Sequence, residues 1–182
     1  PRILTIARLV KYKRIKDLVL AAALVFKKNH KVSLMIIGRG PEEENLKELI
    51  DNLKIQKRVI FKRDLPRKNL IEQIKSATIF SLPSEPEGFG ISIIEAAAAQ
   101  IPYVVSDIEV FREVTKNGRG GFLFETGNIS DLANKIQKLL SDKKLYQKKS
   151  KEAKNLSRLY DWQKISSQTE QVYKSVISTM NY

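Results

Sequence analysis

Two short stretches of this 182-residue chain carry side chains suited to holding an anionic ligand. The first is Ala7-Arg8-Leu9-Val10-Lys11-Tyr12-Lys13-Arg14, with Arg8 just after an apolar run and Lys13 five positions further on. A guanidinium at the end of a strand can grip a phosphate with two parallel N–H donors, and a lysine nearby adds a mobile second charge. The second stretch is Pro83-Ser84-Glu85-Pro86-Glu87-Gly88-Phe89-Gly90-Ile91, which leads into residues of helical period. Gly88 and Gly90 allow close backbone approach, and a helix starting there offers unpaired N–H groups and a positive dipole end, which together favour an anion. Glu87 and Glu95 flank that helix start with seven residues between them. Each could accept hydrogen bonds from ligand hydroxyls, as the acidic residue of a dinucleotide fold does from ribose. Plainer explanations exist for each group: a solvated basic loop, a glycine turn, loop solvation for Glu87, and a dipole partner for Glu95. What raises the chemical reading above them is that both stretches should face one crevice.

The elements that would position these groups follow from the hydrophobic pattern. Short apolar, largely β-branched runs occur at Ile3–Ala7, Val32–Ile37, Val59–Phe61, Thr78–Leu82, Tyr103–Val105 and Gly121–Phe124. Between them lie segments of helical period: Ile15–Phe26, Pro41–Leu53, Lys68–Lys75, Ser92–Ala99, Val110–Thr115 and Ile129–Leu140. Several strand runs lack polar alternation, as expected when both faces of a sheet are covered. This alternation predicts an α/β fold: an open parallel sheet of about six strands with helices on both faces. Ligands then gather beyond the carboxyl ends of the strands. That singles out the loops Arg8–Arg14, Gly38–Pro41, Lys62–Arg67, Pro83–Gly90 and Ser106–Ile108. After Leu140 no strand is readable, and two C-terminal helices are predicted, Lys143–Leu156 and Trp162–Met180, with Asp161 as an N-cap. The expected division is a sheet domain over residues 1–141 and a helical tail over 142–182 packed on it.

Composition narrows the chemistry. There is no cysteine, so disulfides and thiolate metal sites are excluded, and His30 is the only histidine. No Asp-x-Asp pair or histidine cluster suggests a metal site. No apolar run approaches the ~20 residues of a membrane-spanning helix. Thirty-three lysines and arginines against 20 acids give a net charge of +13, which favours anionic partners. Much of that charge falls between Lys135 and Arg158, where lysines interleave with Leu and Ala as on a solvated helix face.

The residues Arg8-Leu9-Val10-x-x-Lys13, Ile36-Ile37-Gly38-Arg39-Gly40-Pro41, and Pro83-Ser84-x-x-Glu87-Gly88-Phe89-Gly90 with Glu95-Ala96 resemble the donor-binding half of family-4 retaining glycosyltransferases. Trp162-Gln163-Lys164-Ile165 with Val172-Tyr173 is similar to the closing helix of that family. The resemblance implies a Rossmann-like domain, one half of a GT-B fold. It implies transfer of a sugar, with retention, from a nucleoside diphosphate sugar to an acceptor hydroxyl. By this resemblance Arg8 and Lys13 would hold the diphosphate and Glu87 the hydroxyls of the transferred sugar. Backbone around Gly88, Phe89, Gly90 and Ile91 would hold sugar or phosphate, and Glu95 the ribose. The loop after Phe61, carrying Arg63 and Leu65, would frame the base, and Gly38 would also belong to the donor site. No cofactor and no metal are implied; the nucleotide sugar enters as substrate. Three positions depart from the family pattern: Arg14, Arg63 and Gln100 each stand where glycine is common.

The expected partner beyond the donor is an acceptor-binding domain of the same polypeptide, with this chain a piece of it that binds donor without catalysing. The expected setting is cytoplasmic, with peripheral contact at the inner membrane face left open. The alternatives are a nucleotide-sugar epimerase or phosphorylase of the same architecture, and a basic nucleic-acid-binding domain. Nucleic acid is disfavoured by the lack of an aromatic stacking platform or groove-binding motif. An NAD site is disfavoured because no Gly-x-Gly-x-x-Gly follows the first strand. The absence of a metal-ligand pattern yields a first prediction. Titration calorimetry in chelator should detect binding of a nucleoside diphosphate, and binding that appears only with magnesium or manganese would contradict it.

Overall fold

The computed structural model describes Pro1–Thr179. Its six strands are β1 Arg2–Ile6, β2 Ser33–Ile37, β3 Val59–Lys62, β4 Ile79–Leu82, β5 Tyr103–Ser106 and β6 Gly121–Phe124. All pair in parallel, in the order β3-β2-β1-β4-β5-β6. The helices are α1 Ile15–Lys28, α2 Glu43–Asn52, α3 Arg67–Lys75, α4 Ile91–Ala98, α5 Glu109–Val114, α6 Ile129–Ser141, α7 Lys143–Ser157 and α8 Trp162–Thr179. The expected end of the last helix, Met180, lies outside the described residues.

Successive strand residues point to opposite faces, and both faces are buried. Ile3, Leu34, Ile36, Ile79, Val104 and Phe124 pack on one side with α1, α2 and α6. Leu4, Met35, Ile37, Phe80, Leu82, Tyr103 and Val105 pack on the other with α3, α4, α5 and α7. This double burial is why the strands read as unbroken apolar runs rather than alternating ones. Ala153 and Leu156 anchor α7 in the second layer. Over Trp162–Ser178 the side chains of α8 are exposed apart from half-buried Ile165; Trp162 and Tyr173 are 75% and 66% exposed. Among the described residues no helix is long and apolar enough to cross a membrane.

Element boundaries among the described residues agree with the sequence pattern to within two residues, and one of the shifts is instructive. The helix expected from Pro41 begins at Glu43. The preceding turn is held by the first loop instead, because the Glu42 N–H donates to the Leu9 carbonyl at 3.0 Å. The Leu9 N–H in turn donates to the Arg39 carbonyl at 2.9 Å. The loops after β1 and β2 are thus laced together by backbone.

This lacing requires a residue without a side chain. A Cβ placed on Gly40 would lie 2.3 Å from the Leu9 carbonyl oxygen, a backbone atom that cannot swing aside. A Cβ on Gly88 would meet no atom within 4 Å. Gly40→Ala should therefore cost at least ~2 kcal/mol in urea unfolding, and Gly88→Ala no more than ~0.5 kcal/mol. Equal costs for the two variants would contradict the packing account.

Candidate functional site

The central strand β1 has β2 on one side and β4 on the other, so the chain order reverses beside it. The crevice at such a switch point opens past the carboxyl ends of the strands. Three loops converge there: the one after β1, the one after β2, and the one between β4 and α4. The first and third are joined by backbone, with the Glu85 N–H donating to the Tyr12 carbonyl at 2.7 Å.

After β1 the chain makes a single 3-10 turn over Lys11–Lys13 and enters α1 through Arg14, whose φ of 51° is left-handed. A glycine would take this conformation without strain. Arg14 instead spends its side chain on neighbours: Nε lies 2.7 Å from Asp17 Oδ2, and a second nitrogen lies 3.3 Å from Glu85 Oε2. Gln100 is likewise left-handed at the end of α4, with φ 64°, which accounts for the glycine expected there.

The loop after β4 ends at Gly90, which caps α4 with φ 83°. A Cβ there would also strike the Phe111 and Ile93 side chains at 2.8 and 2.9 Å. Gly90 is thus required by the fold, whereas Gly88 has no such requirement and leaves open space beside Glu87. Of the first amides of α4, the Ile93 N–H donates to the Gly90 carbonyl at 2.9 Å; those of Ile91 and Ser92, residues that border the crevice, are the ones a helix start leaves for a ligand. Phe89 is 41% exposed and stands edge-on to Tyr160, ring centres 5.5 Å apart.

Arg8, Lys13, Glu87, Phe89, Gly90 and Ile91 border one hollow of about 360 Å³. Lys13 Nζ lies 2.5 Å from Glu87 Oε2, and their side chains are only 13% and 14% exposed. The other carboxylate oxygen of Glu87 accepts the Gly88 N–H at 3.1 Å. Arg8 is exposed and has no carboxylate partner among the described residues. The hollow therefore combines one free guanidinium, one neutralised lysine and a helix start. Such an arrangement can receive an anion at Arg8 and the amides, and hydroxyls at Glu87.

A second groove of about 310 Å³ adjoins it, bordered by Arg8, Ile37, Gly38, Leu65 and Leu70, and sharing Ile6, Ala7 and Arg8 with the first. Two residues expected at the site do not border these two hollows. Glu95, half-buried on α4, borders a separate hollow with Arg67, Ile71 and Lys75. Arg63 ion-pairs with Glu43 at the start of α2, and the left-handed residue in its loop is Asp64, φ 44°. Sequence reasoning missed Glu43 as a partner, since an acid in a first helical turn is already explained by the dipole; only its 6% exposure sets it apart from Glu44. Tyr160, 71 residues beyond Phe89, carried no signal at all. Asp107, in the loop after β5, is held below its ordinary range by the Arg112 fork at 2.6 and 3.0 Å. Among the described residues no group of three or more His, Cys, Asp or Glu could hold a metal ion. A wider hollow of about 720 Å³, bordered by Leu24, His30, Asn52, Lys54 and Arg58, lies at the opposite, amino edge of the sheet, away from these groups.

Comparison with known proteins places these features in context. The family model for glycosyl transferases group 1 matches residues 1–156. The chain is 31% identical over 170 residues to N-acetyl-alpha-D-glucosaminyl L-malate synthase of Bacillus anthracis, covering 92% of this chain and 43% of that protein. Its fold is similar to that of sucrose-phosphate synthase from Thermosynechococcus elongatus, with a TM-score of 0.88 at 24% identity over 98% of this chain and 46% of the other. It is also similar to HepE from Anabaena, solved in complex with UDP and glucose, with a TM-score of 0.85 at 23% identity over 96% and 48% of the two chains. The chain thus spans less than half the length of these relatives.

The Arg63–Glu43 pair gives the fold a pH signature. The Arg63 hydrogen bond is the main influence holding the Glu43 carboxyl below its ordinary 4.5; burial opposes it, and Lys47 assists. A carboxyl more acidic in the native state stabilises the fold above its unfolded pKa, and that stabilisation is lost as pH falls through the native value. Glu43→Gln should therefore unfold at lower temperature than wild type at pH 7, and the gap should narrow as pH falls below 4.5. A gap that stays constant through that range in melting experiments would remove the charge from the explanation.

Proposed function

As the chain belongs to the glycosyl transferases group 1 family, we propose that it is the donor-binding half of an enzyme that moves a sugar from a nucleoside diphosphate sugar to an acceptor hydroxyl. The observation that carries this reading is the meeting of Arg8, Lys13, Glu87 and the α4 start around one hollow, beside the groove at Gly38 and Leu65. In the proposed complex the base and ribose lie along the second groove and the diphosphate crosses Arg8 into the first. The transferred sugar stands against Glu87. UDP and glucose in the similarly folded HepE favour testing uridine donors first.

Departure of the nucleoside diphosphate builds negative charge on the bridging phosphate oxygen. Arg8, Lys13 and the α4 amides would stabilise that charge in place of a metal ion, because fixed donors need no reorganisation as the charge develops. The sugar carbon would pass through an oxocarbenium-like state, with the acceptor entering on the face the diphosphate leaves, so that configuration is retained. Acceptor binding is assigned to the part of the longer relatives that this chain does not span. A cytoplasmic setting with peripheral contact at an anionic membrane face is the corresponding proposal for location, supported by the +13 charge.

Arg8 supplies the test, since its loss removes the one cation of the hollow without a carboxylate partner among the described residues. Titration calorimetry with UDP, GDP and ADP should find binding by one of them, weakened about tenfold to a hundredfold by Arg8→Ala. No binding of any nucleotide at millimolar concentration, or an unaffected Arg8→Ala variant, would overturn the donor-site reading.

A further inference from the structure

The lysine of the hollow is already paired with a carboxylate before any ligand arrives. Its Nζ lies 2.5 Å from Glu87 Oε2, and both side chains are largely shielded from water. Glu87 is itself fixed from two directions, because Oε1 takes the Gly88 N–H at 3.1 Å while Oε2 takes Lys13. The negative charge is therefore a built feature of the hollow. Glu85, two residues earlier, differs: it is half exposed and pairs with Arg14. Any phosphate that reaches for Lys13 must approach the Glu87 carboxylate as well.

We propose that Glu87, as the resting counter-ion of Lys13, makes the site prefer a sugar-bearing nucleoside diphosphate over the free nucleoside diphosphate. The inference rests on the donor-site reading above and adds a selectivity that hydroxyl contact alone would not give. A free nucleoside diphosphate ends in a phosphate monoester-like group, whose second ionisation near pH ~6 gives it nearly one more negative charge at neutral pH than its sugar diester. That extra charge faces Glu87 and competes with it for Lys13. In the sugar conjugate the same place is taken by hydroxyls, which donate hydrogen bonds to the carboxylate. One fixed charge thus repels the spent nucleotide and holds the loaded one. At a separation of a few ångströms in a half-shielded site, removing a like charge changes affinity by about tenfold. The physical consequence is that product release and donor capture are favoured by the same residue.

Glu87→Gln keeps the shape of the side chain and removes its charge. Calorimetry is performed on the whole chain with the free nucleoside diphosphate that it binds and with the matching glucose conjugate, starting from UDP and UDP-glucose. Expected for Glu87→Gln is about tenfold tighter binding of the free nucleotide together with weaker binding of the conjugate. The ratio of the two affinities, measured on one preparation, is unaffected by any unfolded fraction. Glu85→Gln serves as the control for charge removed from the same loop, and its ratio should match wild type. The proposal is overturned if Glu87→Gln binds the free nucleotide no more tightly than wild type, or if Glu85→Gln shifts the ratio equally. Failure of the wild-type chain to bind either ligand overturns the donor-site reading itself, and this inference with it.

Discussion

β1 is hydrogen-bonded in parallel to β2 along its whole length and to β4 over Ile3 and Leu4, and the arrangement of the site depends on this double pairing. Parallel strands release their chains at the same edge of the sheet. With β1 in the middle, the loop after it is trapped between the loop after β2 and the loop after β4. Backbone bonds secure it on both sides, from Leu9 to Arg39 and from Glu85 to Tyr12. Arg8 and Lys13 can then project into the crevice from a frame that does not rely on their own side-chain contacts.

The second determinant is how charge is managed at this edge. A chain with net charge +13 has cations in excess to present to an anionic ligand. Near the crevice most are matched: Lys13 by Glu87, Arg14 by Asp17 and Glu85, and Arg63 by Glu43. Arg8 stands out by lacking such a partner among the described residues. Pairing lowers the electrostatic cost of gathering cations and makes the loops definite in shape. It also means that an incoming ligand must compete with resident carboxylates, so its hydroxyls matter as much as its phosphates. Arg14 carries this logic furthest, holding a left-handed backbone that favours glycine while its guanidinium ties α1 to the glycine-rich loop.

The sequence by itself determined the architecture and the types of groups at the site. Periodicity is a local property: continuous apolar runs mark strands buried on both faces, and the spacing of Leu18, Val19, Ala22, Val25 and Phe26 marks a helix with one buried side. Local rules also placed a helix start after Gly90 and anticipated a left-handed residue at Gln100, since these depend on a few neighbouring residues. Which side chains share a hollow was decided by tertiary structure. Lys13 and Glu87 are 74 positions apart, and their contact exists because β1 and β4 are neighbours in the sheet. Arg63 could have faced the crevice, but the shielded carboxylate of Glu43 offers it a partner that solvent does not. Glu95 lies in the same stretch of sequence as Gly90, yet the turn of α4 carries it to another hollow. Strand order and helix rotation set these relations, and neither is encoded in any short window of residues.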